Sequence, residues 1–227
     1  MILDLTHTIS AGIPVYPGTP QPRLFPAARM EQHGYRETQL SMFSHTGTHM
    51  DAPAHMLEDG VTLDTLPASR FCGRAVVLDV SDRDSITTEY LQARGEMLRS
   101  VDFVLFYTGW EQKWPSADFL TDGYACLTPD AARYLLSCDL KGVGTDAVSM
   151  DPLSTETFPI HKTLLDGGLV LLECLCLNIA AGRSDLQLFA LPLKYENADG
   201  ASVRAVAEIR KIWFSGMPCS PPSSPHR

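Results

Sequence analysis

The chain has 227 residues, 44% of them hydrophobic, enough for one substantial core and too few for several independent domains. Its formal net charge of -9, with no cluster of Lys or Arg, excludes the electrostatic footprint of a nucleic-acid binder. The opening stretch MILDLTHTISAGIPVYPGTP carries no basic residue and no long apolar run, so neither a secretory signal nor a membrane span is expected and the cytoplasm is the expected location.

In chain order, ILDLTHTI (2–9) and RETQLSMFS (36–44) read as strands. RAVVLDV (74–80) reads as a buried strand, ITTEYLQARGEML (86–98) as a helix opened by Thr87 or Thr88, and DFVLFYTG (102–109) as a second strand. LTPDAARYLLS is a helix with Thr128 as N-cap and Pro129 at its first position, followed by GVGTDAVS (142–149) as a third strand. FPIHKTLLDGG is a short helix begun by Pro159 and stopped by Gly167 and Gly168, and LVLLECLCL (169–177) is a fourth strand. LQLFALPLKYE (186–196) and SVRAVAEIRK (202–211) complete the set as a hairpin turned by NADG.

Strands alternating with helices in the middle of the chain imply a parallel core, and the flanking strands without helices imply antiparallel edges. The expected fold class is therefore α/β with a mixed sheet and helices packed on it. Residues 1–215 form one expected domain, and 216–227 are a Pro/Ser-rich tail. The six cysteines (Cys72, Cys126, Cys138, Cys174, Cys176, Cys219) are scattered without a C-x-x-C, so free thiols are expected.

SHTGTHMDAPAHM (44–56) holds three of the chain's seven histidines and an aspartate. An extended strand would separate His45 from His49 by about 13 Å, too far for one ion. A helix is opposed by Gly47, Thr46, Thr48 and Pro53. The chain is therefore expected to bend at Gly47, folding His45 and His49 toward a common point that Asp51 also reaches. Singly, each histidine is as well explained by an ordinary hydrogen bond. Grouped with a carboxylate, they compete for the same donors unless a shared cation organises them.

Glu173 raises a separate demand, because its neighbours in GLVLLECLCLN are apolar or cysteine. A carboxylate buried there needs a positive partner. The helix-to-strand return brings His161 back toward it.

The string H-x-G-T-H-x-D-x-P-x-H, complete from His45 to His55, resembles the signature of the cyclase family of metal hydrolases, which includes bacterial kynurenine formamidases. YPG from Tyr16, YTGW from Tyr107, GTDAVSMDPL from Gly144 and FPIHKTLLDGGLVLLECLCL from Phe158 resemble further family segments in the same order. The resemblance implies a swivelling β/β/α fold, in homodimers or homotetramers. It implies His45, His49, Asp51, His161 and Glu173 as metal ligands and His55 as the acid/base residue. The implied cofactor is a divalent metal, zinc first and manganese as the alternative, with two ions per subunit accommodated. The implied activity is hydrolysis of the amide C–N bond of an aryl formamide such as N-formylkynurenine by metal-activated water. A cyclic amide of the isatin type, or a metal-binding module without turnover, are the alternatives.

Tyr16 stands where the formamidases usually carry tryptophan, and its ring is expected to stack on an aromatic substrate. Trp110, just after the end of a strand, either lines the mouth of the pocket or packs structurally. Asp146 and Asp151 are expected to shape the turn after their strand.

Overall fold

The computed structural model describes residues 1–209. The tail at 216–227, Cys219 and the last two residues of the expected strand 202–211 lie outside them. The strands and α-helices run β1 (Ile2–Asp4), β2 (Arg23–Ala28), α1 (Met30–His33), β3 (Glu37–Ser41), β4 (His49–Asp51), β5 (Cys72–Asp79), β6 (Ser85–Ile86), α2 (Thr88–Gln92), α3 (Gly95–Leu98), β7 (Phe103–Tyr107), β8 (Cys126–Leu127), α4 (Pro129–Leu135), β9 (Gly142–Thr145), α5 (Pro159–Asp166), β10 (Val170–Glu173), β11 (Leu186–Phe189), β12 (Gly200–Ser202) and β13 (Val206–Ile209). Single turns of 3-10 helix punctuate the loops, one of them at Pro53–His55.

Nine strands form one mixed sheet in the order β1-β13-β11-β5-β7-β9-β10-β4-β12. Its centre, β5-β7-β9-β10, is parallel, and every other pairing is antiparallel. The α/β expectation with parallel core and antiparallel flanks is met. Alternation along the central strands buries both faces: Ala75, Val77, Phe103 and Leu105 enter one cluster, Val76, Leu78, Val104 and Phe106 the other. Helices cover the second face through Leu91, Leu98, Leu135 and Leu164, all fully buried. Each such side chain contributes about 1.5–3 kcal/mol by leaving water.

Three local expectations are corrected. The helix expected over 86–98 is broken, because Arg94 leaves helical geometry with φ of -117° and ψ of 13°. The strand expected over 169–177 ends at Glu173, since Cys174 takes a left-handed φ of 54° and turns the chain. NADG is no hairpin turn. β11 does pair with β13, but the chain between them leaves for the far edge, where β12 pairs with β4. Only residues 203–205 then separate β12 from β13, near the opposite end of the sheet order. The sheet must curl until its two ends approach each other.

β2 and β3 pair only with each other, outside the large sheet, and every residue in them except Ala28 is exposed. Among the described residues, no helix is long and apolar enough to cross a membrane.

Candidate metal centre

The register of β4 against β10 builds the site. Glu173 lies opposite His49 and Leu171 opposite Asp51, so His49, Asp51 and Glu173 share the helix-covered face of the sheet. The bend expected at Gly47 is present, with φ of 66°, a conformation that favours glycine. It returns His45 to Asp51, with Nδ1 2.7 Å from Oδ1. His161 arrives from α5, whose first turn is set by Asp151: one carboxylate accepts the backbone N–H of Ile160 and of His161, each at 2.9 Å.

Five side chains therefore converge. His49 Nε2 is 3.2 Å from Asp51 and 3.5 Å from Glu173, while His161 Nε2 is 3.0 Å from Glu173 and 3.7 Å from Asp51. Asp51 is 1% exposed, and its Oδ2 has no hydrogen-bond partner. Burying a carboxylate oxygen in that state costs several kcal/mol.

The outer nitrogens of the three imidazoles test whether a cation fits. His49 Nδ1 donates to the carbonyl of Gly47 at 2.9 Å, an oxygen that only accepts. His161 Nδ1 meets Asp151 at 2.7 Å, and His45 Nε2 meets Asp199 at 3.1 Å. With the outer nitrogen of each ring protonated, the inner one presents a lone pair to the oxygens of Asp51 and Glu173. Lone pair facing carboxylate is repulsive unless positive charge lies between them. Burial opposes a second proton on His45, yet Asp51 and Asp199 lift it to about 9. Burial likewise opposes it on His161, which Glu173, Asp151 and Asp51 lift to about 10. Burial would raise Asp51, but His45 and His49 hold it well below the usual carboxylate range. Imidazole nitrogen and carboxylate oxygen in this arrangement fit a divalent transition metal, with the remaining N–H groups anchored from outside.

His55 sits beside the cluster, its ring 3.9 Å from that of His45. Burial, the largest influence, keeps its imidazole below the ordinary value, with Asp51 pulling the other way and His45 and His161 adding to the depression. It can accept a proton at neutral pH.

A cavity of about 230 Å³ opens over these groups, lined by Tyr16, His55, Met56, Phe158, Cys174 and the inner histidines. Trp110 is not among its lining residues. Its indole Nε1 donates to the Phe119 carbonyl at 3.0 Å and its ring packs edge-on against Tyr124, while Lys113 Nζ stands 3.1 Å above it. Of the two alternatives for Trp110, the structure shows packing. Asp146 accepts from Thr108 N at 2.8 Å and Glu111 N at 3.3 Å, so it orders the loop after β7 rather than the turn after its own strand. Asp151 does more than shape a turn, since it also anchors His161.

Sequence reasoning missed Asp199 and Phe158. Asp199 sits in a dipeptide that reads as a turn, and its partner His45 is 154 positions away. Phe158 carries a signal only in the backbone: it holds a left-handed φ of 50° immediately before α5. Strain of that kind in a non-glycine residue is typical of a site.

The Cyclase family model matches residues 3–152, about two thirds of the sequence. The chain belongs to the Cyclase family. It is 36% identical over 214 residues to the kynurenine formamidase of Salinibacter ruber, covering 90% of this chain and 96% of that one. Among solved structures, isatin hydrolase A from Labrenzia aggregata superimposes with a TM-score of 0.82 at 28% identity, covering 91% of this chain and 93% of that one. A potential metal-dependent hydrolase with cyclase activity gives 0.74 at 31% identity, covering 93% and 98%. The segment matched by the Cyclase model holds Tyr16, His45, His49, Asp51 and His55, whereas His161, Glu173 and Asp199 lie beyond it. Geometry is what ties those three to the motif.

Proposed function

We propose that this Cyclase-family chain is a metal-dependent hydrolase that cleaves the amide C–N bond of an aryl formamide of the N-formylkynurenine kind. The observation that carries the reading is the convergence of His45, His49, Asp51, His161 and Glu173, each imidazole anchored on its outer nitrogen. Those five side chains would hold the metal, zinc first and manganese as the alternative, as one or two ions per subunit. A bound divalent ion supplies polarisation of the amide carbonyl and lowers the pKa of water toward about 7.

His55 is the proposed proton carrier. Its depressed pKa leaves it neutral, able to take the proton of the attacking water and return it to the departing aryl nitrogen. Formate and an aromatic amine are the products. Tyr16 and Phe158, both lining the cavity, supply aromatic surface for the substrate ring.

The backbone likeness to an isatin hydrolase favours a second reading, the opening of a cyclic aromatic amide by the same groups. Steady-state assay of zinc- and manganese-loaded protein on both compounds separates them. N-formylkynurenine turnover is expected. Isatin opening without formamide cleavage would move the assignment to the second substrate, and inactivity on both would remove it.

A homodimer or homotetramer is proposed, supported by the exposed apolar residues Leu24, Phe25 and Leu40 on the β2–β3 ladder, since an isolated two-stranded ladder is only marginally stable. Sedimentation of the wild-type protein as a monomer would reject it. The five free cysteines among the described residues support cytoplasmic residence.

A further inference from the structure

We propose that Asp199 and Gly200 form a positioning pair that seats the His45 ring and selects Nδ1 as its ligand atom. Asp199 Oδ2 lies 3.1 Å from His45 Nε2, while His45 Nδ1 faces Asp51 Oδ1 at 2.7 Å. The two ring nitrogens thus have opposite duties. An aspartate accepting the Nε2 proton leaves the Nδ1 lone pair free, which is how an outer carboxylate fixes the tautomer of a ligating histidine.

Gly200 provides the room. A Cβ built on it would stand 2.4 Å from His45 Cε1 and 2.7 Å from Nε2, closer than such atoms approach. The ring therefore lies against bare backbone. Gly200 is also held in register opposite Asp51 by the β12–β4 pairing, and the Asp199 carbonyl accepts the Ala52 N–H at 2.8 Å. The seat and the ligands are consequently fixed by one strand pair. Asp199 is itself oriented by Ser44 Oγ, 3.3 Å from Oδ2, while the Tyr195 hydroxyl, 3.2 Å from Oδ1, has the Gly200 carbonyl as its nearer acceptor. Its carboxylate is half-exposed and faces His45 from the solvent side.

This inference rests on the metal-site reading, so wild-type zinc affinity and stoichiometry are measured first, by competition with a chromophoric chelator. Wild-type protein that binds no zinc would defeat the metal site itself. With binding established, Asp199→Ala is expected to weaken zinc by about 10- to 100-fold, the usual effect of removing an outer carboxylate. Asp199→Asn keeps an acceptor for Nε2–H and is expected to recover most of that loss. Gly200→Ala is expected to weaken zinc by displacing the ring. Thermal unfolding of each metal-free variant separates these effects from misfolding. Unchanged zinc affinity in a folded Asp199→Ala chain overturns the proposal, as does an Asp199→Asn chain no better than Asp199→Ala.

Discussion

His161 and His45 both face Asp51 but are held by opposite means. The anchor of His161 is local: Asp151, ten residues upstream, takes its Nδ1 and two N–H groups of the first turn of α5. One carboxylate starts the helix and aims its imidazole. The anchor of His45 comes from the neighbouring strand, 154 positions away in sequence, and depends on β12 having paired with β4. A local anchor forms with its helix, whereas a remote one forms only when the sheet is complete. The two halves of the site should therefore fail differently.

The largest effect should come from what the halves share. Asp51 touches His45, His49 and His161, so Asp51→Ala is expected to empty at least one metal position and abolish turnover, with metal content read by elemental analysis. Full metal content in that variant would show that the halves bind independently. His55→Ala comes next. It should retain metal and lose about a hundred- to ten-thousand-fold in kcat, because His55 contributes proton transfer rather than ligation. Full activity would assign the proton to another group.

A smaller effect distinguishes the anchors themselves. Asp151→Ala is expected to weaken zinc by about 10- to 100-fold, as proposed for Asp199→Ala. It should also cost about 0.5–2 kcal/mol of stability in the metal-free protein, the value of a helix cap. Asp199 caps no helix, so its loss should leave that unfolding temperature nearer to wild type. Equal destabilisation by both substitutions would erase the contrast between local and remote anchoring.

The same contrast decides what could be read from the sequence. Gly47, Thr87, Thr128 and Pro129 act through neighbours within a few positions, and the structure places the bend and the helix starts where they indicate. Glu173 could be singled out because the chemistry of its own neighbours made its charge costly. Asp199 could not, since nothing near it in sequence names His45, and an Asp-Gly pair has an ordinary turn explanation. Trp110 shows the limit from the other side: its position at a strand end is local information, but whether it meets the cavity depends on Tyr124 and Phe119, which lie in later loops. The curl of the sheet was illegible for the same reason, because pairing partners across residues 190–199 are chosen by tertiary register.

His7 sharpens the comparison by lacking a carboxylate anchor of either kind. Burial alone pushes its imidazole down to about 4, whereas the carboxylates around His45 and His161 overcome burial and push theirs up. Its Nε2 is buried without a partner, its Nδ1 lies 3.2 Å from Cys176 Sγ, and its ring stacks on Trp114 at 4.2 Å. A folded pKa below the unfolded 6.5 fixes the sign. Above pH 6.5 both states are neutral there and nothing is lost. As pH falls from 6.5 toward about 4, the unfolded chain gains a proton that the folded chain refuses, so stability declines across that window. His7→Gln removes the titration and should flatten that part of the stability–pH curve, whatever it costs in stacking at every pH. Denaturant unfolding at several pH values between 4 and 7 reads the slope separately from the offset. A slope identical to wild type would mean that His7 takes up its proton equally in the folded and unfolded chain and that burial does not govern it.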